Sequence, residues 1–150
     1  MPSGTKEMTL QAPIEQVWDF VSDMNHWAPL VPGYIDHEII NDTESTWKFK
    51  GDLGIVQKKV QLKVLITKWE KPEKVTFNLK GISEKFTGSG YFHALAINSD
   101  TTKMTGHLDM KAEGMMGPVI NPVLKSFLPK MTTELTEAIA QEITNSKSHS

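Results

Sequence analysis

The chain has 150 residues, 39% hydrophobic and 23% charged, with a formal net charge of -2 from 16 basic and 18 acidic side chains. This length favours one domain with one core, and the charge balance lacks the basic excess that nucleic-acid binding needs. With no cysteine, disulfides, thiolate metal sites and cysteine nucleophiles are excluded.

The first ten residues contain no apolar segment of the signal-peptide kind. No run reaches the roughly 20 apolar residues of a membrane span, so the expected location is cytoplasmic. A short strand is expected around Lys6–Gln11. The period then changes: Ile14, Val17, Trp18, Val21 and Met24 recur at three- and four-residue spacing, the pattern of an amphipathic helix. Pro13 suits the first turn of that helix, where no backbone N–H is required. A second helical turn is predicted over Asn25–Leu30, stopped by the Val31-Pro32-Gly33 sequence.

From Tyr34 onward the period is two. Strands are predicted over Tyr34–Asn41, Thr46–Lys50, Ile55–Trp69, Val75–Leu79, Phe86–Ile97 and Thr102–Ala112. The turns between them are short, which makes an antiparallel meander with one apolar and one polar face. In the last strand Met104, Leu108 and Met110 share a face; Lys103, Thr105, His107, Asp109 and Lys111 share the other. The remainder returns to helical period, with Val119, Ile120, Val123, Leu124, Phe127, Met131, Leu135, Ala138 and Ile139 in one stripe. Asn121–Pro122 is a good N-cap and first-position pair, so regular helix is predicted from there. Pro129 is expected to kink it. The first four residues and the terminal NSKSHS segment are polar and expected to fray.

The longest strand spans roughly 45 Å and a helix from Met115 to Ile143 roughly 43 Å. Matched lengths imply that the helix lies along the sheet. Seven antiparallel strands twist and curl, so the space under the helix is either a packed core or a cavity.

Three segments carry a resemblance. APIEQVWDFVSDMNHWAPLVPG (Ala12–Gly33) places an Ala-Pro before a helix with the pair Val17–Trp18 and ends in Pro32–Gly33. GDLGIVQKKVQLKV has a Leu-Gly turn into a long strand, and GSGYFHALAI a Gly-Ser-Gly strand. In this order and spacing the chain resembles the START-like, helix-grip superfamily, and within it the carbon monoxide dehydrogenase G group. The resemblance implies an α+β helix-grip fold: a curved seven-stranded antiparallel sheet, two short helices and a long C-terminal helix closing a hydrophobic cavity. It also implies a role beside redox enzymes or membranes, with a lipid or quinone-like molecule as the guest. Proline-rich sequence at the start of the terminal helix departs from that pattern.

The residues expected to face such a guest are Trp47, Phe49, Val60, Leu62, Val64, Phe77, Leu79, Phe92, Met104, Leu108 and Met110 from strands, with Met116, Ile120, Leu124, Phe127 and Met131 from the helix side. A solid core gives the same stripe; flexible methionines suit an adaptable pocket. Lys58 breaks the inward pattern and is expected to reach out at the rim. Of the histidines, His93 and His107 would stand opposite each other if the preceding turn centres on Asp100. That pair could bind a metal, but a solvated role is the simpler reading, and no metal or cofactor is expected.

Tyr34, His37, Tyr91 and Glu113 could approach a rim, yet their spacing implies no pairing. No nucleophile elbow or phosphate loop is present, so no catalytic set is assigned. Trp27, Met115 and Met116 are candidates for a membrane or partner contact, against the simpler reading that they seal the end of the core. The functional expectation is a carrier of a hydrophobic small molecule, with a redox enzyme as partner. The alternatives are an assembly factor that binds a protein, and a cyclase- or hydrolase-like enzyme.

Overall fold

The computed structural model describes residues 2–52, 57–82 and 85–148, and within them all side chains except those of residues 51, 52, 57, 58, 116 and 146–148. The expected Leu-Gly turn, the rim position of Lys58, the inward side chain of Met116 and the end of the terminal segment lie outside what is described.

In chain order the elements are β1 (Ser3–Leu10), α1 (Ile14–Val21), α2 (Met24–Trp27), a 3-10 turn at Ala28–Leu30, β2 (Tyr34–Ile39), β3 (Glu44–Asp52), β4 (Gln57–Glu70), β5 (Lys74–Gly81), β6 (Phe86–Asn98), β7 (Thr101–Ala112), a 3-10 turn at Gly114–Met116, and α3 (Gly117–Ser148). All these strands form one antiparallel sheet in the order β1-β7-β6-β5-β4-β3-β2. β1 and β2 are thus opposite edges. The chain between them crosses the full width of the sheet, and α1 and α2 are that crossing. This is the expected helix-grip arrangement. Among the described residues, no helix is long and apolar enough to cross a membrane.

The first crossing helix follows from its sequence. Pro13 is extended at the N-cap (φ -63°, ψ 151°) and Glu15 lies in the first turn, where a carboxylate favours the helix dipole. Val17, Trp18 and Val21 are buried. The expected single helix through Met24 is instead broken at Ser22–Asp23. Asp23 caps a new helix, its carboxylate accepting from the Asn25 N–H at 2.9 Å, which is the standard satisfaction of an orphan donor.

Bulges reset the alternation. In β4, Val60, Leu62, Val64 and Ile66 are buried, but an irregularity between Ile66 and Lys68 brings the half-buried Trp69 inward, edge-on to Trp18 with centroids 6.1 Å apart. The β6–β7 turn pairs Asn98 with Thr101 and is not centred on Asp100, and an irregularity between Ala96 and Asn98 shifts the register by one residue more, so Tyr91 rather than His93 stands opposite His107. The expected His93–His107 pair is not formed. His107 instead stacks on Tyr91, takes Thr5 Oγ1 at Nδ1 (2.7 Å) and Asp109 at Nε2 (3.0 Å), all on the outer face. A further bulge breaks the β2 register between Tyr34 and Asp36.

α3 also departs from expectation. Helix begins at Gly117, and Asn121 is not its cap. The Asn121 side-chain amide pairs both ways with the backbone of Ala112, accepting from its N–H at 2.7 Å and donating to its carbonyl at 3.0 Å. The end of β7 is thereby riveted to the helix. The face pressed to the sheet is Leu124, Leu128, Met131, Thr132, Thr136, Ile139, Ala140 and Ile143. Ile120, Val123, Phe127, Leu135 and Ala138 flank it half-buried, and Val119 is 61% exposed.

Close approach explains Thr136. A Cβ on Gly4 of β1 would stand 2.5 Å from the Leu128 carbonyl oxygen, and one on Gly106 of β7 would collide with Thr136 Oγ1. Small residues on both sides let backbone and helix nearly touch. Gly4→Ala must push α3 off β1, because the obstructing atoms are main chain. The expected cost is about 1–3 kcal/mol in urea unfolding; an unchanged midpoint would contradict this packing.

Candidate functional site: an apolar cavity beneath Trp27

Inside the curl of the sheet lies a cavity of about 40 Å³, lined by Trp27 and Val31 from the crossing, Trp47 and Phe49 from β3, Leu62 and Val64 from β4, Phe77 and Leu79 from β5, Leu108 and Met110 from β7, and Met131 and Leu135 from α3. Every lining residue is apolar in body. The two indole N–H groups are both satisfied away from the space: Trp27 Nε1 donates to the Val21 carbonyl (3.0 Å), and Trp47 Nε1 to Ser45 Oγ (2.7 Å), whose own hydroxyl donates to Met24 Sδ (3.3 Å). Buried polar groups without partners are costly, and here each finds its partner locally, leaving a dry wall.

Of the residues expected to face a guest, Trp47, Phe49, Leu62, Val64, Phe77, Leu79, Leu108, Met110 and Met131 are brought to this one space. Val60, Phe92, Met104 and Leu124 are buried in the surrounding core without lining it, and Ile120 and Phe127 are half-buried beside it. Val31 and Leu135 are not among the expected site residues, although Leu135 belongs to the helical stripe.

Trp27 is only 2% exposed, in line with the simpler reading that it seals the end of the core and against the alternative of a membrane or partner contact. Its ring stands edge-on to Trp47 at 5.0 Å and to Phe92 at 5.3 Å, and tilted to Phe77 at 5.9 Å. Such geometries are favourable beyond simple area burial. A signal for this is present in the sequence: Asp23 is an N-cap, and Met24 and Trp27 are three apart behind it, hence on one face. Met115, in contrast, is 96% exposed.

Of the four polar rim candidates, Tyr91 lies on the outer face against His107 and Lys74, and Glu113 is exposed, accepting from Thr87 Oγ1 at 2.7 Å. Tyr34 and His37 meet: Tyr34 Oη and His37 Nδ1 are 2.6 Å apart. Sequence spacing does not imply this pairing, since residues three apart on a regular strand face opposite ways.

A family model described only as "-like" matches residues 1–146, and the chain belongs to the family it defines; that description states no activity. Among solved structures, the chain is similar to a conserved protein from Geobacillus kaustophilus (20% identity, 96% of each chain, TM-score 0.75). It is also similar to a START superfamily protein from Mycobacterium smegmatis (16% identity, 95% of this chain and 97% of that one, TM-score 0.70). A third likeness is to a norcoclaurine synthase point mutant from Thalictrum flavum in complex with a transition-state analogue (13% identity, 97% and 95%, TM-score 0.67). The fold is therefore that of START and Bet v1-like proteins. No curated protein matches the sequence.

Removing the Trp27 indole should cost about 3–5 kcal/mol, as for other buried aromatic truncations. Urea unfolding of Trp27→Ala measures it, and a loss below about 1 kcal/mol would show that the ring is not central to the core.

Proposed function

We propose that the protein binds an apolar small molecule in the space beneath Trp27 and carries or presents it. The observation that carries this reading is the dry aromatic and aliphatic wall, contributed by four strands, α3 and the crossing. Its indole N–H groups turn away from the space, so the wall offers no polar group to compete for water. Burial at roughly 25 cal/mol per Å² would supply the affinity.

The cavity of about 40 Å³ is far smaller than the roughly 300–1,000 Å³ of a usual small-molecule site. Binding therefore requires the wall to yield. α2 is the element suited to move: it is four residues long and ends in Trp27. Swinging the indole aside would join its own volume to the existing space. Met110 and Met131, with flexible thioether chains, would adapt the wall to the guest. The resemblance to the carbon monoxide dehydrogenase G group makes a lipid or quinone-like guest and a redox-enzyme recipient the finer form of this proposal.

Native mass spectrometry of freshly purified protein, followed by organic extraction, tests the reading. A stoichiometric apolar compound is expected, and Leu62→Phe, which fills the cavity, should lower the uptake of added fatty acid or quinone at least tenfold. A clean mass with no uptake by the unaltered protein would overturn it.

A second reading is favoured by a different observation. At the start of α3, Met115 and Val119 stand exposed beside an open groove of about 980 Å³ bordered by Pro2, Ser3, Ala112, Gly114, Gly117, Pro118, Asn121, Pro122 and Lys125. An exposed apolar pair beside a broad groove suits a protein or membrane surface. Under this reading Met115→Asp abolishes partner or vesicle binding while leaving ligand uptake intact. Retention of binding in that variant would remove the surface reading.

A further inference from the structure

The two ends of the sheet differ in charge. In the antiparallel order, the end of β3, the start of β4, the end of β5, the start of β6 and the end of β7 lie together, next to the start of α3. Lys50, Lys59, Lys80, Lys85, Lys111 and Lys125 stand exposed at this end. Lys50 is directly opposite Lys59, and Lys80 and Lys111 flank Thr87 from either side on the outer face. Like charges directly opposite each other repel, and among the described residues none of the six lysines is in an ion pair.

The acids nearby do not cancel this field. Glu113 is exposed and accepts from Thr87 Oγ1. Further back, Asp109 is held by His107 Nε2 at 3.0 Å, and Asp36 stands opposite Lys48. The turns at the far end of the sheet instead carry Asp42, Glu73 and Asp100 against Lys71. A chain whose net charge is -2 is thus basic at one end.

Apolar side chains project from that same end. Met115 is 96% exposed and Val119, one turn on, 61%. The turn that presents them is fixed. Gly114 has φ 76°, and the Glu113 N–H donates to the Lys85 carbonyl at 2.7 Å. The Lys85 side chain lies along the turn, its Cδ 3.4 Å and its Nζ 3.9 Å from where a Cβ on Gly114 would stand. Lys125 borders the adjoining groove. An exposed methionine set among lysines has the two parts of an interfacial membrane contact: an apolar tip for the acyl boundary and ammonium groups for anionic headgroups.

A folded acidic partner fits less well. All 16 basic side chains of the chain are lysine. Protein interfaces favour arginine, whose planar fork matches fixed carboxylates, and are depleted in lysine. Flexible lysines spread over several elements suit a fluid surface whose charges can move to meet them. The cavity also lies toward this end: Met110 lines it, and Ala112, two residues on, borders the groove.

We infer that this end of the molecule docks on an anionic lipid surface, with Met115 and Val119 as the inserted apolar groups and Lys85, Lys111 and Lys125 as the nearest contacts to the headgroups. This rests on the surface reading given above and commits it to one partner.

The test mixes the full chain with vesicles of phosphatidylcholine, alone or with about 30% phosphatidylserine, and measures bound protein by sedimentation. At about 0.1 M salt the affinity for phosphatidylserine vesicles should be about tenfold higher or more, and the preference should vanish at about 0.5 M. Lys111→Gln and Lys125→Gln should each lower it about fivefold, the effect of one lysine near a charged surface. Met115→Asp should abolish it, while Met115→Leu retains it. These side chains are exposed, so an unchanged thermal-unfolding midpoint confirms that each variant is folded. Equal binding to both kinds of vesicle, or binding to neither, overturns the lipid assignment; the surface reading then survives only with a protein partner. Binding to anionic vesicles that Met115→Asp leaves unchanged removes the surface reading and this assignment together.

Discussion

The structure depends on one aromatic contact set. Trp27 stands against Trp47, Phe77 and Phe92, side chains from β3, β5 and β6, and hangs its N–H on the last residue of α1. A strongly curled sheet cannot be filled by a straight helix alone. α3 covers the β1 and β7 side closely, where glycines admit its backbone. The opposite side, toward β3, is left to the crossing segment, and an indole is the largest single side chain available to fill it. The sheet's curvature, the route of the chain from one edge to the other, and the size of the cavity therefore meet at one ring.

That arrangement also explains why a nearly full core is compatible with a binding role. The volume is not missing; it is occupied by Trp27, on a four-residue helix held by its capping aspartate, the His37–Asn25 contact, and the indole's own N–H bond and ring contacts. A guest must replace the contacts of that one indole. Apart from Val31, the other cavity residues sit on strands or on α3. The hydrogen bonds from Tyr34 through His37 to Asn25 join α2 to the sheet edge.

Much of this is legible in the sequence. Alternation in Val60–Ile66, Val75–Leu79 and Met104–Met110 identifies the inward faces of β4, β5 and β7, because a period of two is hard to imitate. The matched lengths of β4 and α3 place the helix along the sheet, and the family resemblance carried by the motifs and element order supplies the helix-grip architecture, which the structure has. What escapes is decided by tertiary geometry. The bulges at Tyr34/Asp36 and Ala96/Asn98 leave no mark in an alternation count, yet one creates the Tyr34–His37 pair and the other, together with a turn that pairs Asn98 with Thr101, separates His93 from His107. Asn121 reads as a helix cap because Asn-Pro is a common cap pair; the end of β7 offers its side chain a better, two-bond partner. For Trp27 the sequence offers two readings, a seal on the end of the core and an exposed contact; its burial agrees with the first, and the cross-sheet route of the chain turns it inward.

The most direct test of the central claim uses the protein's four tryptophans as reporters. In a proton–nitrogen NMR titration with a fatty acid or quinone, the indole N–H signals can be assigned by single Trp→Phe variants. If the space beneath Trp27 receives the ligand, the Trp27 and Trp47 signals shift together and saturably, while Trp18 and Trp69, packed on each other, move little. If Trp27 and Trp47 stay fixed up to the solubility limit of the ligand, the cavity is only a packing defect and the account given for it is wrong.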